Sequence, residues 1–262
     1  MTTDDRLDPD CISANLKTSR IGGKVLVYEC TSSTNDVAAE YARNPANDGL
    51  VVLTEQQNAG RGRAGATWHS RRAASLLLSV VLGDRPIAGE LLSLACAVAV
   101  AEAIGWVGGH QARIKWPNDI ILQDRKVAGI LLESRLYDNI RAHVVGIGIN
   151  CHQRSNDFPP DLQGTATSLD LVSGTRCQRA TVARRVLMCL DCWLGRAESD
   201  REHVIETWSS LSTQLGRRVT MSFAGKTFTG NCIGVDPEKG LILQFDRGGV
   251  RMFDAAHARM VR

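Results

Sequence analysis

The sequence predicts an α+β protein: a mixed or antiparallel sheet with helices packed on one side, followed by a small β-barrel-like appendage. Three observations lead there. Apolar runs at residues 50–53, 75–82, 120–122, 127–133 and 143–150 follow one another too closely to leave a helix between every pair, which argues against an all-parallel sheet. Longer helical patterns at 88–104, 178–197 and 201–211 are placed to cover that sheet. After Gly216 the chain turns into short strands with tight turns, at 219–224, 227–235, 240–245 and 250–253. The expected division is 1–214, with a polar lead-in over 1–20, and 215–262.

A chain of 262 residues, 44% hydrophobic and 23% charged, suits one large domain plus a small one with a sizeable core. The net charge of +3 favours anionic ligands weakly and does not suggest broad nucleic-acid binding. The acidic N-terminus lacks the apolar core of a signal peptide. The longest apolar stretch, Leu91 to Ile104, is short for a membrane span and carries Glu102. A cytoplasmic protein with no membrane partner is expected. Of eight cysteines, only Cys189 and Cys192 form a CxxC, with no second pair or histidine ligands spaced for zinc. Reduced thiols are the expectation.

In order, a helical turn is expected around Cys11 to Leu16, then a strand at Val25–Tyr28. Ser33 and Asp36 read as the capping box of a helix through Ala42. Leu50 to Glu55 is a strand that delivers a Gly/Arg loop. Ser75 to Leu82 is a central strand, and Pro86 is expected to open a helix running to Ile104. Ala112 to Trp116 is a strand stopped by Pro117. Two further strands, at 120–122 and 127–133, are joined by the turn Gln123-Asp124-Arg125, and 143–150 forms another. Residues 151–176 are polar and proline-bearing and read as a loop able to act as a lid, with a short helix starting at Thr167-Ser168-Leu169.

Four clusters carry candidate chemistry. In Gln57-Asn58-Ala59-Gly60-Arg61-Gly62-Arg63-Ala64-Gly65-Ala66-Thr67-Trp68, glycines let the backbone approach a ligand and arginines offer planar forks for anions. It is neither a Walker A nor a dinucleotide fingerprint. Lys115-Trp116-Pro117-Asn118-Asp119 supplies a cation and, four residues on, a carboxylate able to hold Mg²⁺. Lys126-Val127-Ala128-Gly129-Ile130 adds a second lysine beside a glycine. Gly146-Ile147-Gly148-Ile149-Asn150 reads as a strand whose face is left open. No Ser/His/Asp or Cys/His set is evident. Catalysis would act by positioning and charge stabilisation. Two lysines, two arginines and one carboxylate suit an ATP-derived mixed anhydride.

These clusters, with Ser33-Thr34-Asn35 and the stretch Gln123 to Glu133, occur in one order over residues 25–150 and resemble the biotin protein ligase family. The terminal β-module agrees. The resemblance implies a class II synthetase-like catalytic domain and an SH3-like C-terminal β-barrel. It implies that biotin and MgATP form biotinyl-5′-AMP, and that biotin then passes to a lysine of a biotin carboxyl carrier domain. ATP and Mg²⁺ are thus implied, with biotin as substrate and no tightly bound prosthetic group. Carried over, Ser33, Thr34, Asn35, Gln57, Arg61, Gly62, Arg63, Lys126 and Gly129 bind biotin. Lys115, Asn118, Asp119, Trp68 and Asn150 handle ATP, and Asp119 the Mg²⁺. Lys126, Arg61, Arg63 and Lys115 carry the catalysis, and residues 152–165 cover the adenylate.

Two departures stand out. About 25 residues precede the first strand, too few for the winged helix of DNA-binding relatives, so no DNA binding is expected. Ala66 stands where family loops often have another arginine. The resemblance admits a homodimer through sheet edges. The alternatives are a lipoate or octanoate protein ligase, which shares the fold, and a non-catalytic biotin- or adenylate-binding protein.

Overall fold

A computed structural model describes residues 5–138 and 140–261. The first four residues of the expected lead-in lie outside the described residues. The lead-in carries α1 at Pro9–Ser13, capped by Asp8, whose carboxylate accepts from the Cys11 amide. This turn starts two residues earlier than expected, because proline suits the first position of a helix and aspartate the cap.

Seven strands build the main sheet: β1 (Val25–Tyr28), β2 (Val51–Thr54), β3 (Ser75–Leu82), β4 (Arg113–Lys115), β5 (Asp119–Leu122), β6 (Arg125–Tyr137) and β7 (Ile140–Asn150), in the order β1-β2-β3-β7-β6-β5-β4. Only β1 and β2 run parallel, and they are the neighbours joined through a helix, α2 (Thr34–Tyr41). The rest pair antiparallel, as the close spacing of the apolar runs requires. Gln123 and Asp124, both at positive φ (48° and 59°), make the two-residue turn between β5 and β6, a twist that matches the flanking strands.

Strand β3 is buried along its whole length and lies between β2 and β7 at the centre of the sheet. Leu76, Leu78, Val80 and Leu82, with Val145, Ile147 and Ile149 of β7, face the main core. That core is closed by three helices: α3 (Gly89–Gly108), α5 (Arg179–Ser199) and α6 (Arg201–Leu211). A short α4 (Leu169–Ser173) is capped by Ser168. Helix α3 is apolar all round and long enough to span a membrane by composition, but here it is packed inside the protein. It begins at Gly89, three residues after Pro86, so the expected proline start is corrected: Pro86 lies in the approach turn and Ala88 is the cap.

Two further expectations are corrected. Helix α2 packs on the opposite face, where Ala38, Ala39 and Ala42 meet Val52, Val81 and Val144 in a second core; the helices therefore cover both sides. The capping box at α2 is absent, since the Ser33 side chain makes no cap bond. Instead Gln57 Oε1 accepts from the Thr34 amide (2.8 Å) and hydroxyl (3.1 Å). A side chain from the strand exit thus does the capping that a local serine was expected to do.

The C-terminal strands β8 (Arg218–Phe223), β9 (Lys226–Asp236), β10 (Gly240–Gln244), β11 (Val250–Phe253) and β12 (Arg259–Met260) form one antiparallel sheet in the order β11-β10-β9-β8-β12. The last strand is too short to be seen in the sequence. This sheet touches the main domain where the Ala255 amide donates to Glu90 Oε1 of α3 (2.7 Å).

Candidate active site

The period of two along β3, β6 and β7 separates core from site. On the face opposite the main core, β3 presents Leu77 and Ser79, β6 presents Gly129, Leu131 and Glu133, and β7 presents Gly146, Gly148 and Asn150. Opposite strands place Gly129 beside Gly148 and Leu131 beside Gly146. Sequence reading takes the glycines as an open face. The structure corrects this in part: a Cβ on Gly146 would collide with the Asn35 amide, and one on Gly148 would lie 2.5 Å from the Trp68 indole. A Cβ on Gly129 would lie 3.0 Å from the same indole and 3.2 Å from Lys126 Nζ. The glycines make room for Asn35, Trp68 and Lys126, which then form the floor.

The Gly/Arg segment folds into a small hairpin over that floor. Gly60 accepts from the Trp68 amide, the Gly62 amide donates to Ala66, and Arg61 bridges Thr67. Beneath it lies a cavity of about 350 Å³, large enough for a small ligand. Ser33, Thr34, Asn35, Gln57, Arg61, Gly62, Arg63, Trp68, Lys115, Asn118, Asp119, Lys126 and Gly129 all line it. A second cavity of about 560 Å³ adjoins, with Trp68, Lys115, Asp119 and Lys126 as shared walls and Asn150, Phe158 and Leu162 on its far side. Every site residue expected from sequence therefore reaches one cavity or the other. Trp68 and the Lys126–Asp119 pair stand between the two.

The local chemistry is specific. Lys126 Nζ sits 2.6 Å from Asp119 Oδ1 and over the Trp68 ring at 5.6 Å. Asn118 donates its amide to Ile130 O (2.8 Å), fastening the turn after Pro117 to β6. Asn150 donates to Thr167 O and accepts from Gln153 Nε2, so its amide ties the covering segment to the sheet. That segment is fixed further by Lys126, whose amide and carbonyl pair with Thr165 and Thr167. The two arginines differ. Arg61 forks onto Asp36, through Nη2 to Oδ1 (2.7 Å) and Nη1 to Oδ2 (3.0 Å), and this holds the Asp36 carboxyl below its usual range. Arg63 makes no ion pair among the described residues; burial disfavours its charge, with Asp119 and Glu90 opposing that effect.

Sequence reasoning missed several residues. Ser79, hidden in an apolar run, is fully buried and bonds both Thr34 Oγ1 (2.7 Å) and Asn35 Oδ1 (2.6 Å). Its parity with Leu77 on β3 is the signal that could have found it. Glu133 accepts from Asn35 Nδ2 (2.6 Å). Ala256, Arg259 and Met260 of the C-terminal module also line the first cavity, with no local signal for it.

A separate buried cluster lies past the end of β7. His152 stands between Asp5 (2.6 Å) and Asp170 (2.7 Å), while Arg179 pairs with Asp5 and Glu55 (2.7 Å each). Burial lowers the His152 pKa, but hydrogen bonds with Asp5, Cys177 and Asp170 outweigh it and push it up to about 10. His152, Asp170 and Cys177 come close enough to share a metal, yet both ring nitrogens are engaged by carboxylates, which makes this an ion-paired network. All eight cysteines are free thiols.

The model of the biotin/lipoate A/B protein ligase family matches residues 27–150. The bifunctional ligase/repressor BirA of Bacillus spizizenii is 35% identical over 257 residues, 95% of this chain and 78% of that protein. The biotin–[acetyl-CoA-carboxylase] ligase of Mycobacterium tuberculosis is 31% identical, over 99% of this chain and 100% of its own length. The chain belongs to the biotin protein ligase family. Among solved structures of the family, biotin protein ligase from Aquifex aeolicus in complex with biotin and ATP superposes with a TM-score of 0.79 at 25% identity, over 92% of this chain and 99% of that one. Family and fold thus agree with the resemblance carried by the sequence clusters.

Proposed function

We propose that this protein is a biotin protein ligase: it joins biotin to AMP at the expense of ATP and passes the biotinyl group to a lysine of a biotin carboxyl carrier domain. The observation that carries the reading is the Lys126–Asp119 pair, placed at the junction of two cavities and roofed by a Gly/Arg hairpin. One cavity would take biotin and the other the nucleotide, so the bond-forming atoms meet at Lys126.

In the first step a biotin carboxylate oxygen attacks the α-phosphorus of ATP and pyrophosphate leaves. Lys126 is placed to neutralise charge on both the carboxylate and the α-phosphate, and Asp119 orients its ammonium. Lys115 lines both cavities and offers a point charge to the phosphates. Mg²⁺ binds through few carboxylates plus phosphates; Asp119 and Asp124, the acids of the second cavity, fit that donor set, and the ion would lower the repulsion between anions. Arg63 inside and Trp68 beneath would keep water from the anhydride. In the second step the amine of the carrier lysine attacks the biotinyl carbonyl and AMP departs.

The polar wall made by Ser33, Thr34, Asn35 and Gln57, with Ser79 bonded behind Thr34 and Asn35, offers donors and acceptors to a ureido ring. A plain alkyl chain would use none of these polar groups, which argues against octanoate or lipoate. Retention of Lys115, Asp119 and Lys126 argues against a binding protein without catalysis. Action in the cytoplasm and a chain divided at 214/215 are parts of the same proposal. Pyrophosphate exchange into ATP, with biotin, octanoate and lipoate each offered, tests it. Exchange with biotin alone is expected. Exchange with the fatty acids would move the protein to the lipoyl branch, and none with any acid would remove the catalytic reading.

A further inference from the structure

The Gly/Arg hairpin lies closed over the first cavity, and its own interior does not explain what holds it there. Its tip holds Ala64 at φ 56°, a left-handed conformation that disfavours a residue with a Cβ. Arg63, which also lines the cavity, makes no ion pair among the described residues. Besides backbone bonds from Asn58 and Ala59 to Thr31 and Ser32, two side chains of the segment tie it to α2. Gln57, at the start of the segment, caps the helix at Thr34. Arg61, four residues on, lays its guanidinium fork across Asp36 in the first turn of the same helix.

Asp36 is itself braced. Its Oδ2 accepts from Ser32 Oγ (3.1 Å). A second acid, Glu133, lies 3.6 Å from Arg61 and is held in place by Asn35 Nδ2. The fork therefore sits between two fixed carboxylates, one on α2 and one on β6. A planar guanidinium meets that arrangement with two parallel bonds, which a lysine ammonium cannot reproduce.

We infer that Asp36, braced by Ser32 and seconded at Arg61 by Glu133, is a positioning residue that latches Arg61 and so holds the hairpin closed over the cavity, setting how long an activated intermediate is retained. The two arginines then divide the work: Arg61 anchors the hairpin and Arg63 faces the ligand. The consequence for adenylate retention rests on the biotin ligase reading; the latch itself does not.

Two measurements separate these levels. In ligand-free protein, trypsin cuts after Arg61 and Arg63 only when the hairpin opens. Asp36→Asn, which keeps the shape and removes the charge, is expected to speed that cleavage roughly fivefold, the scale of a partly exposed ion pair. Asp36→Glu should restore much of the protection, and added salt should bring wild type toward the Asn variant. Arg61→Lys, which keeps the charge but loses the fork, should loosen the hairpin even if Asp36→Asn folds poorly. The second measurement is the half-life of enzyme-bound adenylate after rapid gel filtration. It should shorten by a similar factor in Asp36→Asn while biotin-dependent pyrophosphate exchange stays near wild type. Equal cleavage and equal retention in wild type and Asp36→Asn would overturn the latch. A wild type that makes no adenylate would overturn the ligase reading, and the tryptic comparison would still decide the latch.

Discussion

The two faces of the seven-stranded sheet are made by the same strands and obey opposite rules. On the face toward α3, α5 and α6, β3 and β7 present Leu, Val and Ile almost without exception. On the other face, past the small core that Val81 and Val144 share with α2, their alternate positions over the cavity include Ser79, Gly146 and Gly148, beside Gly129 of β6. One face excludes water by filling space; the other leaves space that long polar or aromatic side chains from outside the sheet enter. A strand of period two lets stability and chemistry be set independently.

That separation can be tested by substitution. The largest effect is expected at Lys126→Ala. Biotin-dependent exchange should fall by about two to three orders of magnitude with an unchanged melting temperature, and near wild-type turnover would remove Lys126 from the chemistry. On the filled face, Leu78→Ala should cost about 2–5 kcal/mol of stability, read by denaturant unfolding, with the KM for biotin almost unmoved. On the open face, Gly148→Ala places a methyl 2.5 Å from the Trp68 indole. It should cost about 1–3 kcal/mol and weaken biotin binding in calorimetry at least tenfold more than Leu78→Ala does. A milder change there, Ser79→Ala, removes the hydroxyl shared by Thr34 and Asn35. A loss of about 1 kcal/mol is expected, with a few-fold rise in the KM for biotin; equal effects from the two faces would break the comparison.

The smallest effect concerns neither face but the charged cluster at the end of β7. His152 titrates at about 10 when folded, against 6.5 for an ordinary histidine. A raised pKa means the folded protein holds the proton more tightly. The contribution is therefore complete below 6.5 and is lost as pH rises through about 10. In His152→Gln the decline of melting temperature across that alkaline window should flatten.

What could be read from sequence follows the range of the forces involved. Strands β3 and β7, helix α3 and the Gln123-Asp124 turn are encoded by neighbours: runs of apolar residues, a turn that demands positive φ, a helix without a polar stripe. The family clusters were equally legible, and their residues do gather at two cavities. What the sequence could not show depends on distant partners. Gln57 caps α2 from 23 positions away. Ser79 is one hydroxyl inside an apolar run. Asp36 looks like a capping residue until Arg61 is seen across it, 25 positions on. The Arg179 network reaches back to Asp5. Polar side chains with several available partners are placed by the fold, and local pattern cannot choose among them.

The cap on α2 has one more consequence. Gln57 belongs at once to the helix terminus and to the cavity wall. A ligand group that draws the Gln57 carbonyl toward itself releases the Thr34 amide, while one that bonds only its NH₂ leaves that amide covered. Exchange of the Thr34 amide with deuterated solvent therefore reports on occupancy of the cavity from inside the backbone, with no label attached.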